Sequence, residues 1–229
     1  MKRFALILLL LCGCLNATAK DIGAEYIGIQ YIADPLGENM PPDTDPLIRT
    51  DAFDCVTFVE TVLTDADIEK LTKIRYRDGV VDFLHRNHFI ESDWLTNNSD
   101  LVENVSMQYA PTLVRRVVID KQNWLKTVHG IDAEFEPEII NLQYIPYKYV
   151  SDISISEPMI VLFITGKSGK SDTIGTDLAV VHVGFLLPDG ILRHASSAHG
   201  RVMDTDFYKY ADMRVKDKNN LGIVLVRIK

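Results

Sequence analysis

The chain has 229 residues, with 24 Lys and Arg against 32 Asp and Glu, for a net charge of −8. Such acidity disfavours non-specific binding to nucleic acid or to an anionic membrane, and no basic stripe interrupts it, so nucleic acid is not an expected partner. No internal repeat or low-complexity block is visible, and the length suits one domain with a substantial core.

Lys2 and Arg3 precede an apolar run from Phe4 to Leu11, the order of an export signal. The run is too short for a membrane span, which takes about 20 apolar residues. Two exits are open. Ala17-Thr-Ala19 fits a cleavage site that frees a soluble chain starting at Lys20. Leu11-Cys-Gly-Cys14 resembles a lipobox, which would leave Cys14 lipid-modified and the chain tethered. Either exit leads to the bacterial cell envelope, in the periplasm, with membrane attachment only through a lipid on Cys14. Cleavage after Ala19 removes Lys2 and Arg3 and takes the charge from −8 to −10. Residues 20–229 are then expected to form a single domain and a monomer.

Residues 34–48 hold four prolines among several acids and read as an extended loop. Asp51 to about Asp67 reads as a helix, with Asp51 as N-cap and Asp54 three positions on. Val56, Val59, Val62 and Leu63 give it an apolar stripe. Residues 68–90 look helical and then mixed, whereas 95–155 are polar and irregular and show no clear pattern. From Pro158 the chain turns strand-like over Met159–Thr165, Ala179–Leu187, Ile191–Ala195 and Gly222–Ile228. Leu187-Pro-Asp-Gly190 is a turn, so His182 and His194 are expected on adjacent antiparallel strands. A helix followed by a meander-like sheet is α+β.

Cys12 and Cys14 belong to the leader, which leaves Cys55 as the one thiol in the body of an exported chain. Exported chains usually pair their cysteines, so an unpaired one is either a small core residue or a nucleophile. A thiol attacks as its thiolate, which the positive end of a helix and a neighbouring imidazole both favour. Cys55 falls in the first turn of its helix. His182, one polar residue in a strongly apolar strand, is the candidate base, and Gly184 leaves room for a close approach. His194 is placed to hold the ring of His182 in the tautomer that accepts the thiol proton. Singly, each of these residues has a plain core role; the combination favours chemistry. A zinc site on His85-x-x-His88 with Asp93 is a rival, but it lacks the glutamate base of H-E-x-x-H. A non-catalytic envelope protein that binds murein, with Cys55 inert and buried, is another. No metal or cofactor is expected.

The block FDCVTFVE, followed by HVGFLLPDG and RHASS, resembles the NlpC-type cysteine peptidases of bacterial cell walls. More narrowly, RTDAFDCVTFVE with RNHFIESDW and RHAS is similar to the branch described as N-acetylmuramoyl-L-alanine amidase-like. The resemblance spans roughly residues 49–229. It implies a papain-like fold with a catalytic helix packed on an antiparallel sheet, Cys55 as nucleophile, His182 as base and His194 as orienting residue. It further implies hydrolysis of the amide joining the muramic lactyl group to L-alanine of muropeptides, with 1,6-anhydro forms preferred. The alternative is a stem-peptide endopeptidase acting between D-Glu and diaminopimelate. One feature departs from compact NlpC-type domains: 126 residues separate Cys55 from His182. That insertion, about 68–157, contains the RNHFIESDW block and is expected to build a pocket wall. Arg86, His88, Asp93 and Trp94 are candidates to line a sugar or lactyl site, with Trp94 stacking on a sugar face. Asp54 is a candidate contact to the peptide or a plain helix N-terminal acid, and Ser196 either joins the site or only ends its strand.

Overall fold

Alternation along the central strands decides the architecture. A computed structural model of the chain describes residues 22–36, 41, 43, 48–166 and 171–229. The N-terminal leader and both exits from it lie outside the described residues. Among those described, no helix is long and apolar enough to cross a membrane. Ten strands form one sheet: β1 (Gln30–Tyr31), β2 (Ala52–Phe53), β3 (Val102–Asn104), β4 (Leu113–Ile119), β5 (Glu138–Pro146), β6 (Met159–Thr165), β7 (Val180–Leu186), β8 (Ile191–Ser196), β9 (Arg201–Asp206) and β10 (Asn220–Ile228). Their order is β2-β1-β9-β8-β7-β6-β10-β5-β4, with β3 added against β10. Only β1 and β2 pair in parallel. The fold is therefore mixed α+β with a large, mostly antiparallel sheet.

Every residue of β6 is buried. Ile160, Leu162 and Ile164 face one apolar layer, while Met159, Val161 and Phe163 face the other, as the two-residue period of a strand requires. The first layer is roofed by helix α1 (Cys55–Leu63), whose Phe58 and Val59 are buried against Phe185 and its neighbours. Each such side chain contributes roughly 1.5–3 kcal/mol by burial. The second layer is closed by Phe207 and Ala211 of the C-terminal helix Phe207–Arg214. The four strands expected after Pro158 are present within two residues of their expected bounds. Gly190, at φ +76°, turns β7 into β8, and its N–H bonds to the Leu187 carbonyl at 3.0 Å.

The helix around Cys55 begins later than its sequence suggests. Asp51 is not the N-cap. Its carboxylate binds the Arg49 guanidinium at 2.8 and 3.1 Å, and Ala52–Phe53 pair with β1. The cap is Asp54: its Oδ1 accepts from the N–H of Val56 (3.0 Å) and Thr57 (2.8 Å), and Thr57 Oγ1 accepts from the Asp54 N–H. The helix also ends early, because Asp65 and Ala66 take positive φ before Asp67 caps α2 (Ile68–Arg75). The 68–157 segment is no appendage, since it contributes β3, β4 and β5 to the common sheet.

Candidate active site

Because α1 starts at Asp54, Cys55 is its first residue. The thiol is free and half-buried. The paired residues of β7 and β8 are Phe185 with Arg193 and Leu186 with Leu192; nearer the start of β7, the Val183 N–H is close enough to the Cys55 thiol to pull its pKa down. The thiol thus sits beside the His182–Val183 peptide. Val183 belongs to the layer under α1, whereas His182 lies against Phe163 (ring centroids 5.6 Å) and Tyr210 (6.2 Å). No hydrogen bond joins thiol and imidazole in this arrangement, while Tyr210, which packs on both histidine rings, also feels the thiol.

The two histidines do meet. His182 Nε2 and His194 Nδ1 are 2.7 Å apart, and His194 Nε2 lies 3.3 Å from Thr205 Oγ1. Among the described residues, His182 Nδ1 has no partner. Gly184 makes this approach possible: a Cβ there would stand 2.9 Å from both His194 Cβ and the Arg193 carbonyl oxygen.

Electrostatics departs from the expectation that the helix end activates the thiol. Burial, with the adjoining Asp54 carboxylate second, pushes the Cys55 thiol up to about 12, against the opposing pull of the Val183, Cys55 and Val56 N–H groups. Asp54 also occupies two of the N–H groups that would otherwise present the helix dipole to the sulfur. Burial pushes His182 down to about 3, helped by His194 and Arg214, and burial and His199 push His194 down to about 4. Burial thus pushes the resting site toward a neutral thiol and neutral imidazoles.

The residues expected to line a sugar site lie elsewhere. Trp94 is 4 % exposed, and its Nε1 donates to Glu60 Oε1 of α1 at 2.9 Å, so no face is open for a sugar. Arg86 is buried on Asp43 (2.9 Å) and the Tyr76 hydroxyl (3.2 Å). Asp93 is buried on Lys121 Nζ at 2.8 Å. Arg86 and Asp93 do border a cleft, but its volume of about 100 Å³ is far below that of a small-molecule pocket. His88 Nε2 binds the Phe83 carbonyl at 2.7 Å, with its ring among Phe83 and Trp124. His85 pairs with Asp82 at 3.1 Å. His85, His88 and Asp93 do not converge, and among the described residues no group of three or more His, Cys, Asp or Glu could hold a metal ion. Ser196 is buried, with Oγ 3.0 Å from His199 Nδ1.

Three residues near the site escaped the sequence reading. Tyr210 comes from the unread C-terminal helix, and its ring centroid is 5.4 Å from that of His194. Tyr31, on the two-residue β1, is close enough for Cys55 and Asp54 to reinforce the upward push of burial on its phenol. Thr205 lies on β9, whose alternation in Arg201-Val-Met-Asp-Thr-Asp206 was the available signal. Within α1, Glu60 stood out as a carboxylate on an otherwise apolar helix.

The model of the N-acetylmuramoyl-L-alanine amidase-like family matches residues 21–219. The chain belongs to that family. Membership makes it an amidase-like cell-wall hydrolase and implies a peptidoglycan substrate. Among solved structures, a protein from Legionella pneumophila is 24 % identical with a TM-score of 0.81, the match covering 92 % of this chain and 87 % of that one. An N-acetylmuramoyl-L-alanine amidase from Bacteroides uniformis is 23 % identical with a TM-score of 0.71, over 92 % and 98 % of the two chains. At these identities the likeness establishes a shared fold. No curated protein matches the chain.

Proposed function

We propose that this amidase-like hydrolase is a cysteine enzyme of papain-like, NlpC-type design that cleaves the amide between N-acetylmuramic acid and L-Ala of muropeptides. The observation that carries the reading is the thiol at the first residue of α1, close enough to the Val183 N–H to feel its pull, together with a His182–His194 pair 2.7 Å apart. The resting thiol is neutral, so proton transfer accompanies attack. Cys55 Sγ adds to the lactyl carbonyl carbon as His182 Nδ1 takes the thiol proton. Val56 and Thr57 are engaged by Asp54, so the Cys55 N–H, which bears on the thiol in the resting site, is the end amide of α1 that would turn to the developing oxyanion. The C–N bond then breaks, His182 returns the proton to the leaving L-Ala nitrogen, and the muramoyl group remains as a thioester. Water, deprotonated by His182, releases the lactyl acid and the free thiol. The lack of a thiol–imidazole hydrogen bond in the free protein fits this scheme, because catalytic hydrogen bonds commonly tighten only with substrate bound.

The exported, periplasmic setting indicated by the leader suits such a substrate, and 1,6-anhydro-muropeptides are the preferred form in this reading. Mass spectrometry of defined muropeptides tests it. The wild type should release stem peptide with a free N-terminal L-Ala, and Cys55→Ser should fold but lose turnover by several orders of magnitude. Full turnover by Cys55→Ser refutes the cysteine mechanism; cleavage of a sugar-free tetrapeptide between D-Glu and diaminopimelate at the muropeptide rate refutes the amidase assignment.

A further inference from the structure

We propose that Thr205 is a positioning residue that sets the tautomers of both histidines, so that His182 presents a bare nitrogen to the thiol. The inference rests on the cysteine-hydrolase reading above. His182, His194 and Thr205 form a diagonal of polar side chains across one face of β7, β8 and β9. Thr205 pairs in register with Leu192, and His194 with Met203, so Thr205 and His194 are diagonal neighbours, within reach of a long side chain. Gly184 vacates the position beside His194 on β7, which lets the imidazole lean onto His182. On β8 and β9, Arg193 and Asp204 form a bidentate pair at 2.7 and 2.9 Å. That pair fixes the register on which the His194–Thr205 contact depends.

The hydrogen count then decides the roles. A neutral imidazole carries one N–H and one acceptor nitrogen. In the 2.7 Å contact, either His182 Nε2 or His194 Nδ1 is the donor. If Thr205 Oγ1 accepts from His194 Nε2–H, then His194 Nδ1 is the acceptor, His182 carries its proton on Nε2, and His182 Nδ1 is free to take the thiol proton. If the hydrogen sits on His194 Nδ1, His182 Nε2 becomes the acceptor, His182 Nδ1 carries the proton, and the thiol faces a donor. Among the described residues, the Thr205 hydroxyl has no partner except His194. The Thr205 hydroxyl takes the acceptor's part, the one of the two patterns that leaves His182 Nδ1 free for the thiol proton. His194 is buried and His182 half-buried, and burial pushes both imidazoles down toward the neutral form, so the choice of tautomer is what the contacts of the pair can control.

Thr205→Val keeps the shape and removes the acceptor; Thr205→Ser keeps the acceptor. The expected result for Thr205→Val is a three- to tenfold fall in kcat on muropeptide, in line with the loss of one hydrogen bond, with KM unchanged and with kcat recovered to within twofold by Thr205→Ser. In ¹⁵N spectra of the wild-type protein, His182 Nδ1 should carry the shift of an unprotonated ring nitrogen, and in Thr205→Val it should move toward the protonated value. Wild-type kcat in Thr205→Val overturns the proposal, and so does a proton on His182 Nδ1 in the wild type, a readout that needs no variant to fold. Either result leaves the nucleophile assignment standing. Turnover by Cys55→Ser, by contrast, would remove the reading on which this inference rests.

Discussion

Gly184 offers a sharp test of the site, because its substitution adds a single methyl group and removes no polar atom. An alanine Cβ would sit 2.9 Å from the Arg193 carbonyl oxygen, 2.9 Å from His194 Cβ and 3.1 Å from Leu192 Cδ1, whereas ordinary contact begins at 3.4 Å. Leu192 can rotate away; the Arg193 backbone cannot, since its strand is paired to β9 on the far side. The β7–β8 gap must therefore open by about 0.5 Å. Overpacking of this kind costs roughly 1–3 kcal/mol. The effect on chemistry should be larger than a generic loss of stability, because β8 carries His194 and the 2.7 Å contact to His182 would stretch beyond 3 Å. Misplacing a catalytic group by 1 Å can cost ~100-fold, so Gly184→Ala should lower kcat by about 10- to 100-fold while remaining folded at 25 °C. Urea unfolding followed by muropeptide turnover on the same preparation separates the two effects. A Gly184→Ala protein with wild-type kcat would refute the claim that the close approach of β7 and β8 is what places the imidazole pair.

Two further tests concern the buried polar groups. Trp94→Phe removes the donor to Glu60 Oε1, leaving that carboxylate with Arg75 at 3.4 Å; stability in urea should fall by about 1–3 kcal/mol with KM for muropeptide unchanged, and a selective rise in KM at unchanged stability would restore a sugar-stacking role. His88 is held down at about 3 by burial, so the folded state binds fewer protons than the unfolded one between about pH 3 and 6.5. Its stabilising contribution is present above pH 6.5 and is lost as the pH falls toward 3, with a slope of at most about 1.4 kcal/mol per pH unit. His88→Phe should flatten the acid limb of stability against pH by that amount, and an unchanged slope would show that His88 is not buried neutral.

What could be read from the sequence and what could not divides along local and distant contacts. Met159–Thr165 and Ile191–Ser196 are apolar runs whose character is written in their own residues, and the turn at Gly190 is equally local. The β4–β5 hairpin was illegible because its pattern is inverted. Leu113, Val114 and Ile139 are exposed, while Arg115 is buried on Asp177 and the Gly166 carbonyl, 62 and 51 residues away. The start of α1 failed for a related reason. Asp51 and Asp54 are equally good caps by type, and the choice is made by pairing of Ala52–Phe53 with Gln30–Tyr31. The nucleophile, base and orienting candidates were legible from residue type and order, but Thr205 and Tyr210 become neighbours only once β9 and the C-terminal helix are in place.

The RNHFIESDW block has a structural role that its polar composition does not announce. Arg, His, Asp and Trp close together in sequence suggest a pocket, yet the block acts as a strut. Trp94 ties it to α1 through Glu60, and Glu91 ties it to the start of β7 by accepting from the Ala179 N–H. The same short segment therefore holds the helix that carries Cys55 and the strand that carries His182. Arg75 adds a second grip on Glu60. Breaking either tie would leave both candidate catalytic side chains in place while loosening the distance between them, which the scheme requires to shorten when substrate binds. Groups beside the thiol are a second place where substrate can be discriminated. Tyr31 and Tyr210 are half-buried side chains with that position: the thiol influences both phenols, and Tyr210 packs on both histidine rings.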